Sequence, residues 1–179
     1  MQPFSFYSSR LTALAGVMLF FGLIWIYVLE FPVFTNTVDV RLLVLASMLA
    51  GAIAAGVLLY ALRTRLRPWE RHLPEVFIIL VFSILFAPLS GSLLNRAAGK
   101  TQYKPFLFVS EHAYVSAPYG LLAGEKTGIS GYRLRVESAG RSYFFQYKKQ
   151  RYFPLTKPGE TVLLPMRRGW LGFRVLELQ

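Results

Sequence analysis

The chain has 179 residues, of which 54% are hydrophobic and only 16% are charged. Soluble domains carry about 25% charged residues, so this composition disfavours a protein that is water-soluble throughout. The sequence has no cysteine, which excludes disulfides, thiolate metal sites and thiol catalysis. Of the 29 charged residues, 10 lie before residue 96 and 19 from Arg96 onward. An apolar front half is therefore followed by a half that carries most of the charge.

Three uncharged runs of 19 to 21 residues, at 11–29, 42–62 and 76–94, dominate the front half. A helix needs about 20 apolar residues to cross a hydrocarbon core of about 30 Å, so each run predicts a transmembrane span. The alternative is three buried helices of a soluble core, but the rest of the chain is too small to cover them. The first run lacks the cleavage site of a signal peptide and is interpreted as a retained helix.

The loop between the second and third runs predicts the orientation in the membrane. The first loop, 30–41, has one positive charge, whereas the second has four arginines within nine residues: Arg63, Arg65, Arg67 and Arg71. Cytoplasmic loops carry an excess of Lys and Arg. We therefore expect a bacterial inner-membrane protein. Its N-terminus and second loop should lie in the cytoplasm, and its C-terminal half in the periplasm. A nucleic-acid-binding role for this loop is the weaker alternative, because short basic patches are unspecific.

Small residues at four-residue spacing predict where the spans pack, because close backbone approach through such residues holds helices together in lipid. Pro88 removes a backbone hydrogen bond inside the third span, so we expect the regular helix to kink or end between 84 and 87. The second span carries two neighbouring rows of small residues and the third span carries one: Ala46, Ala50 and Ala54; Ser47, Gly51 and Ala55; and Ser83, Ala87 and Gly91.

Residues 106–179 show the alternation and turn chemistry of a small β-rich domain, after a predicted linker at 96–105. Segments 132–138 and 141–148 alternate in polarity and predict a β-hairpin. Residues 157–160, with proline second and glycine third, predict a type II turn. The expected fold is three transmembrane helices in domain 1–95, followed by a small antiparallel β barrel or sandwich. Further short strands are predicted at 106–110, 113–117, 160–168 and 173–178.

No known catalytic or cofactor motif is found in the sequence. The two histidines, His72 and His112, fall on opposite sides of the membrane in the predicted topology, so they could not share a metal ion. Glu111 beside His112 could orient a general base, but no serine or carboxylate is tied to this pair by a known spacing. The glycine-rich segment 120–128 lacks the spacing of a phosphate-binding loop. We therefore expect no metal, no cofactor and no enzymatic activity.

The remaining indication of a function is the positive charge of the C-terminal half. From Lys100 onward the chain has 13 Lys and Arg against 5 Glu, a formal charge of +8. Such a surface suits acidic lipid headgroups or an acidic protein, or serves solubility alone. Nucleic acid is not an expected partner in the periplasm. Two basic clusters beside aromatic residues are the candidate binding sites, and both are expected to reach one rim of the barrel: Lys148, Lys149 and Arg151; and Arg167 and Arg168 with Trp170.

Three hypotheses of function remain open. The first is a non-enzymatic inner-membrane protein whose basic β domain binds a protein partner or acidic lipid headgroups, as a subunit or assembly factor of a membrane complex. A homo-oligomer is the alternative to a protein partner. The second is an immunity-type protein that neutralises a membrane-targeting or periplasmic toxin. The third is a membrane-anchored β barrel that senses a nucleotide, and it requires the opposite topology.

Overall fold

The computed structural model of the chain describes residues 4–115, 128–148 and 150–178. The chain divides into two compact units. The helical unit comprises Met1–Phe31 and Val44–Ser90, and the β unit comprises Pro32–Leu43 and Gly91–Gln179. The β unit therefore includes the end of the first helix and the start of the second. The helices are α1 (Phe4–Thr35), α2 (Val40–Ala61), a short 3-10 helix (Trp69–His72), α3 (Leu73–Leu85) and α4 (Ala87–Ala97).

Three helical segments are long and apolar enough to cross a membrane: Leu14–Thr35, Val40–Ala61 and Trp69–Ala97. They overlap the three spans predicted from the sequence. The third segment is interrupted between α3 and α4, where Phe86 takes a single non-helical position. Pro88 lies in the first turn of α4, where its missing N–H is tolerated. The predicted end of the regular helix between 84 and 87 is confirmed.

Within the helical unit, α2 packs through one of its two rows of small residues. Ser47, Gly51 and Ala55 are buried. A Cβ added at Gly51 would collide with the main-chain oxygen of Ser83 and lie 2.7 Å from the Cβ of Ala87. Among the described residues, the other row lies against no helix. Its packing against another chain stays a prediction, because all three of its side chains are exposed: Ala46, Ala50 and Ala54.

The β unit contains one antiparallel sheet in the order β3-β2-β1-β4-β5. Its inward side chains form a continuous core that includes Leu134, Val136 and Phe145, as the alternation in the sequence predicts. The predicted turn at 157–160 is present, since Gly159 has φ +91° and Glu160 N–H donates to Lys157 O at 3.1 Å. The strands are β1 (Gly99–Tyr114), β2 (Gly131–Ser138), β3 (Arg141–Tyr147), β4 (Thr161–Gly169) and β5 (Arg174–Leu176).

The long first strand differs from the sequence prediction. β1 begins at Gly99, so it occupies most of the predicted linker 96–105 and joins the strands predicted at 106–110 and 113–117, the latter ending outside the described residues. Its first half pairs with β4 and its second half with β2. A register shift between Phe108 and Ser110 interrupts the β1–β2 ladder. Such an irregularity bends a strand and lets one strand serve both halves of a curled half-barrel.

The connection between α1 and α2 links the two edge strands of the half-barrel. Val38 N–H donates to Arg174 O at 2.8 Å, and Leu176 N–H donates to Asn36 O at 2.9 Å, on either side of a bridge between Thr37 and Val175. On the opposite side, the Asn36 amide donates to Gln146 O and accepts from Gln146 N–H, both at 2.7 Å. Residues 36–38 thus join β5 to β3, a role that the predicted loop 30–41 did not include.

Candidate functional site

Three basic side chains form a row across three strands of the β unit. Lys100 on β1 is the register partner of Arg168 on β4, and Arg168 is the register partner of Arg174 on β5. Register partners project from the same face of a sheet with Cβ atoms about 5 Å apart, and like charges in such pairs are destabilising. The charges here remain accessible, since Lys100 and Arg168 are exposed and Arg174 is half-buried. This basic row, Lys100–Arg168–Arg174, is the candidate site.

The β4–β5 turn beside the basic row presents two large apolar side chains. Trp170 is 70% exposed and Leu171 is 46% exposed. The turn is attached to the end of α4, because Trp170 N–H donates to Asn95 O at 2.9 Å and the Asn95 amide donates to Phe173 O at 3.2 Å. A side chain at Gly169 would collide with Asn95. The turn is therefore held against α4 while its apolar side chains remain open to the surroundings.

Arg167, a predicted site residue next to the row, makes two polar contacts within the β unit. Its guanidinium forms an ion pair with Glu177 at 3.1 Å and donates to Arg96 O at 3.0 Å. Glu177 also accepts from the Thr101 hydroxyl at 2.8 Å. Arg167 lies on the opposite face of β4 from Arg168, because consecutive strand residues alternate. Arg167 therefore links β4 to the end of α4 and to the residue that follows β5. Arg168 is the basic residue of this predicted cluster that contributes to the row.

The expectation that both basic clusters reach one rim is wrong. Lys148 follows Tyr147, whose register partner on β2 is itself paired with Ala113 on β1. Arg168 is paired with Lys100, so the two clusters lie at opposite ends of β1. The path along β1 between the two clusters is about 40 Å, at about 3.3 Å per residue. β3 ends at Tyr147, so Lys148 follows the strand, and Lys149 lies outside the described residues.

Arg151, the third member of that cluster, binds a buried carboxylate. Glu111 on β1 has a fully buried side chain and pairs with the Arg151 guanidinium at 3.0 Å. It also accepts from the Tyr147 hydroxyl and from the N–H groups of Tyr152, at 2.9 Å, and Phe153, at 3.2 Å. These bonds attach 151–153 to the half-barrel. His112 projects from the other face of β1, so Glu111 does not orient it as a base.

The other predicted residues are placed as follows. The four arginines of the second loop are exposed, and the Arg63 guanidinium lies 4.3 Å from the centroid of the Tyr60 ring. In the part of the chain that the structure describes, no group of three or more acidic or histidine side chains could hold a metal ion. Lys100 and Arg174, two thirds of the basic row, were missed, since each is isolated in sequence and only strand register brings them together.

Comparisons with protein-family models, with curated proteins and with solved structures found no match to this chain. Three helices that are long and apolar enough to cross a bilayer, followed by a β half-barrel, indicate a multi-pass membrane protein.

Proposed function

We propose that this is a non-enzymatic protein of the bacterial inner membrane whose β unit binds acidic lipid headgroups, as a subunit or assembly factor of a membrane complex. The basic row carries the proposal. Three like charges side by side disfavour folding, and an anionic surface removes that cost by supplying counter-charges. Headgroup phosphates are the anions that a membrane protein meets in quantity, and each Lys or Arg near an anionic surface contributes about 1 kcal/mol of attraction.

The position of the row along the chain supports this choice of partner. Lys100 follows the end of α4 at Ala97 by three residues. An extended chain rises about 3.3 Å per residue, so Lys100 lies within about 10 Å of the helix end. Trp170 is tied to the same helix end through Asn95. Tryptophan is enriched at membrane–water interfaces, where its amphipathic ring sits at headgroup level. Together, the basic row and the β4–β5 turn form a surface that is suited to contact with the bilayer.

The proposal includes an orientation. The N-terminus and the arginine-rich loop between α2 and α3 lie in the cytoplasm, and the β unit lies in the periplasm. The four exposed arginines of that loop support this direction, because Lys and Arg are retained on the cytoplasmic side. The basic β unit does not oppose it, since long domains cross largely regardless of charge. The headgroups in question then belong to the periplasmic leaflet.

A single fluorescent label tests headgroup binding. Because the chain has no cysteine, Leu171→Cys provides one attachment site next to Trp170. The labelled full chain is reconstituted in phosphatidylcholine nanodiscs with or without phosphatidylglycerol, and quenching by nitroxide on lipid headgroups is measured. We expect stronger quenching with phosphatidylglycerol, most of all at low salt, because charges are screened over about 8 Å at physiological ionic strength.

The matched control removes the same number of charges elsewhere. Replacing Lys100, Arg168 and Arg174 by Gln should abolish the effect of phosphatidylglycerol. A second triple variant at three exposed cations outside the row should retain it: Arg133→Gln, Lys148→Gln and Lys157→Gln. Headgroup binding by the row would be contradicted if the label on the chain with an unmodified row were quenched equally with and without phosphatidylglycerol. It would also be contradicted if both triple variants lost the effect of phosphatidylglycerol equally.

A further inference from the structure

Within the described ranges, the edge strand β3 has main-chain hydrogen-bonding groups without a main-chain partner. Ser138 and Arg141 are register partners across the two-residue turn Ala139–Gly140, both of which have positive φ. The turn-flanking residues of such a hairpin exchange both main-chain bonds, and the ladder then alternates. Odd-numbered residues of β3 therefore bond to β2, and even-numbered residues point away from it. Gln146 confirms this parity, because its N–H and C=O are both bonded to Asn36 on the far side.

The same alternation directs the N–H and C=O groups of Ser142 and Phe144 away from β2. Among the described residues, no main-chain partner is found for these groups on that side. An unpaired row of this kind is a template for another strand. The Asn36 side chain already makes at Gln146 the two bonds that a neighbouring strand would make. At the next two outward-facing positions, Phe144 and Ser142, the main-chain groups have no main-chain partner in the part of the chain that the structure describes.

A cleft of about 780 Å³ lies along this free edge, entirely within the β unit. One wall is the start of α2 with the residues before it, and the other wall is β3 itself. The volume lies in the range of about 300–1,000 Å³ that is typical of ligand sites. Phe144 and Leu42 give the cleft exposed apolar surface. Its charged lining residues are Asp39, Arg41 and Arg141.

The charges of the cleft favour an anionic occupant. Two arginines face one aspartate, and the contact between Arg141 and Asp39 is long, at 4.0 Å, between exposed side chains. A surface pair of this kind contributes little, so it does not neutralise the cleft. Arg41 has no ion-pair partner among the described residues. A bound acidic side chain between Arg41 and Arg141 would complete the charge balance.

We propose that this cleft binds an extended acidic segment of a partner protein by strand addition to β3. The main chain of the segment bonds to Ser142 and Phe144 and continues the ladder that Asn36 starts at Gln146. Main-chain bonds supply affinity in this mode of recognition, and side-chain pockets supply specificity. Arg41 and Arg141 select an acidic side chain. A lipid headgroup offers a phosphate but no alternating donors and acceptors to match a strand edge. The proposal goes beyond headgroup binding and uses different residues.

Three synthetic pentapeptides test the site on the full chain in nanodiscs of phosphatidylcholine alone. The first is acetyl-Thr-Val-Glu-Val-Thr-amide, the second has Lys in place of Glu, and the third repeats the first with N-methylated main-chain amides. Binding is measured by fluorescence anisotropy, and protection of the Phe144 amide by hydrogen exchange. We expect the acidic peptide to bind and protect Phe144, the Lys peptide to bind about tenfold more weakly, and the methylated peptide not to bind.

Two variants at one position separate the main chain from the side chain. Phe144→Pro removes the outward N–H, and proline is tolerated on an edge strand when that N–H is not part of the ladder. Phe144→Ala keeps the N–H and is the matched control. We expect the Phe144→Pro variant to bind the acidic peptide about tenfold more weakly than the Phe144→Ala variant, because one intermolecular hydrogen bond is lost. Arg41→Gln with Arg141→Gln should remove the preference for Glu over Lys.

Binding of the acidic peptide that is unchanged by N-methylation would overturn the proposal, as would the absence of binding or equal affinities of the two Phe144 variants. If Phe144→Pro does not fold, the comparison of the acidic peptide with its N-methylated form, measured on the unaltered chain, still tests the proposal. Protection of Phe144 that rises with protein concentration alone would assign the edge to a second copy, and would also overturn it. The Gln variants of the basic row should bind peptide normally, so failure here leaves headgroup binding untouched.

Discussion

The two connections between the three long apolar helical segments are both short, but their roles differ. Residues 36–39, between α1 and α2, bond to β5 on one side and to β3 on the other, and Thr37 and Val38 are buried. Residues 62–68, after α2, carry three of the four loop arginines, and all three side chains are exposed. The first connection is part of the architecture of the β unit. The second meets solvent and carries charge.

The difference shows that the charge of a loop can be recognised from its own residues, whereas its structural role depends on contacts with residues distant in sequence. A run of arginines is visible in the sequence because each residue contributes alone to retention on one side of the membrane. Asn36 contributes only by meeting Gln146, 110 residues away. A prediction of the membrane orientation can therefore be made from residues 62–71 alone, whereas the role of residues 36–38 required the fold.

The largest effect is expected for the orientation of the second connection. A reporter enzyme that is active only in the periplasm should be active when fused after Gln179 and silent when inserted at Arg65. The physical reason is the arginine excess of the second loop over the first. Reporter activity at both positions is measured in cells, with expression of each fusion as the control. A silent C-terminal fusion would place the β unit in the cytoplasm and favour the nucleotide-sensor hypothesis.

Much of the fold could be predicted because it rests on local pattern. The three apolar runs, the interruption before Pro88 and the turn at Gly159 each depend on residues close in sequence. The first half of β1 could not be predicted, because the segment that begins at Gly99 shows no alternation of polarity. Pairing with β4, about 60 residues later, makes it a strand. Partner strands that distant leave no periodic signal in the segment itself.

The candidate site was predictable only in part, for the same reason. Arg168 and Trp170 stand out because basic and aromatic residues are neighbours in sequence. Lys100 and Arg174 do not, and only the register of β1, β4 and β5 places them beside Arg168. The cluster at 148–151 looked equally basic, but Arg151 is paired with the buried Glu111. Composition identifies a basic surface, whereas register and ion pairing decide which charges remain available.

A smaller effect is expected for stability at the first connection. Asn36→Ala should lower the free energy of unfolding of the β unit by about 2 kcal/mol, because it leaves the N–H and C=O of Gln146 without their partner. Thermal unfolding in detergent, followed by near-ultraviolet circular dichroism, measures the change. The effect should be confined to the β unit, since Asn36 lies in that unit and its hydrogen bonds join β3 to β5.

Two substitutions serve as controls for Asn36→Ala. Thr35→Ala, one residue earlier, removes an exposed bond to Pro32 within the same helix. Arg65→Ala removes an exposed charge from the second connection. Both should change stability by at most about 0.5 kcal/mol, as surface substitutions generally do. If Arg65→Ala destabilised the β unit as much as Asn36→Ala, the proposed division between a structural and a charge-bearing connection would be wrong.

The smallest effects are expected at Asp39, the one charged residue of the first connection. Its backbone has φ +57°, a left-handed conformation that costs most residues about 1–2 kcal/mol but that Asn and Asp adopt more readily. Its ion pair with Arg141 is 4.0 Å long and exposed, so it should contribute at most about 0.5 kcal/mol. Conformation, not charge, is therefore the reason for aspartate at this position. Asp39→Asn should leave thermal unfolding nearly unchanged, whereas Asp39→Val should destabilise the β unit by about 1 kcal/mol. Equal losses in the two variants would mean that the first connection also depends on its charge, and the contrast with the arginine-rich connection would disappear.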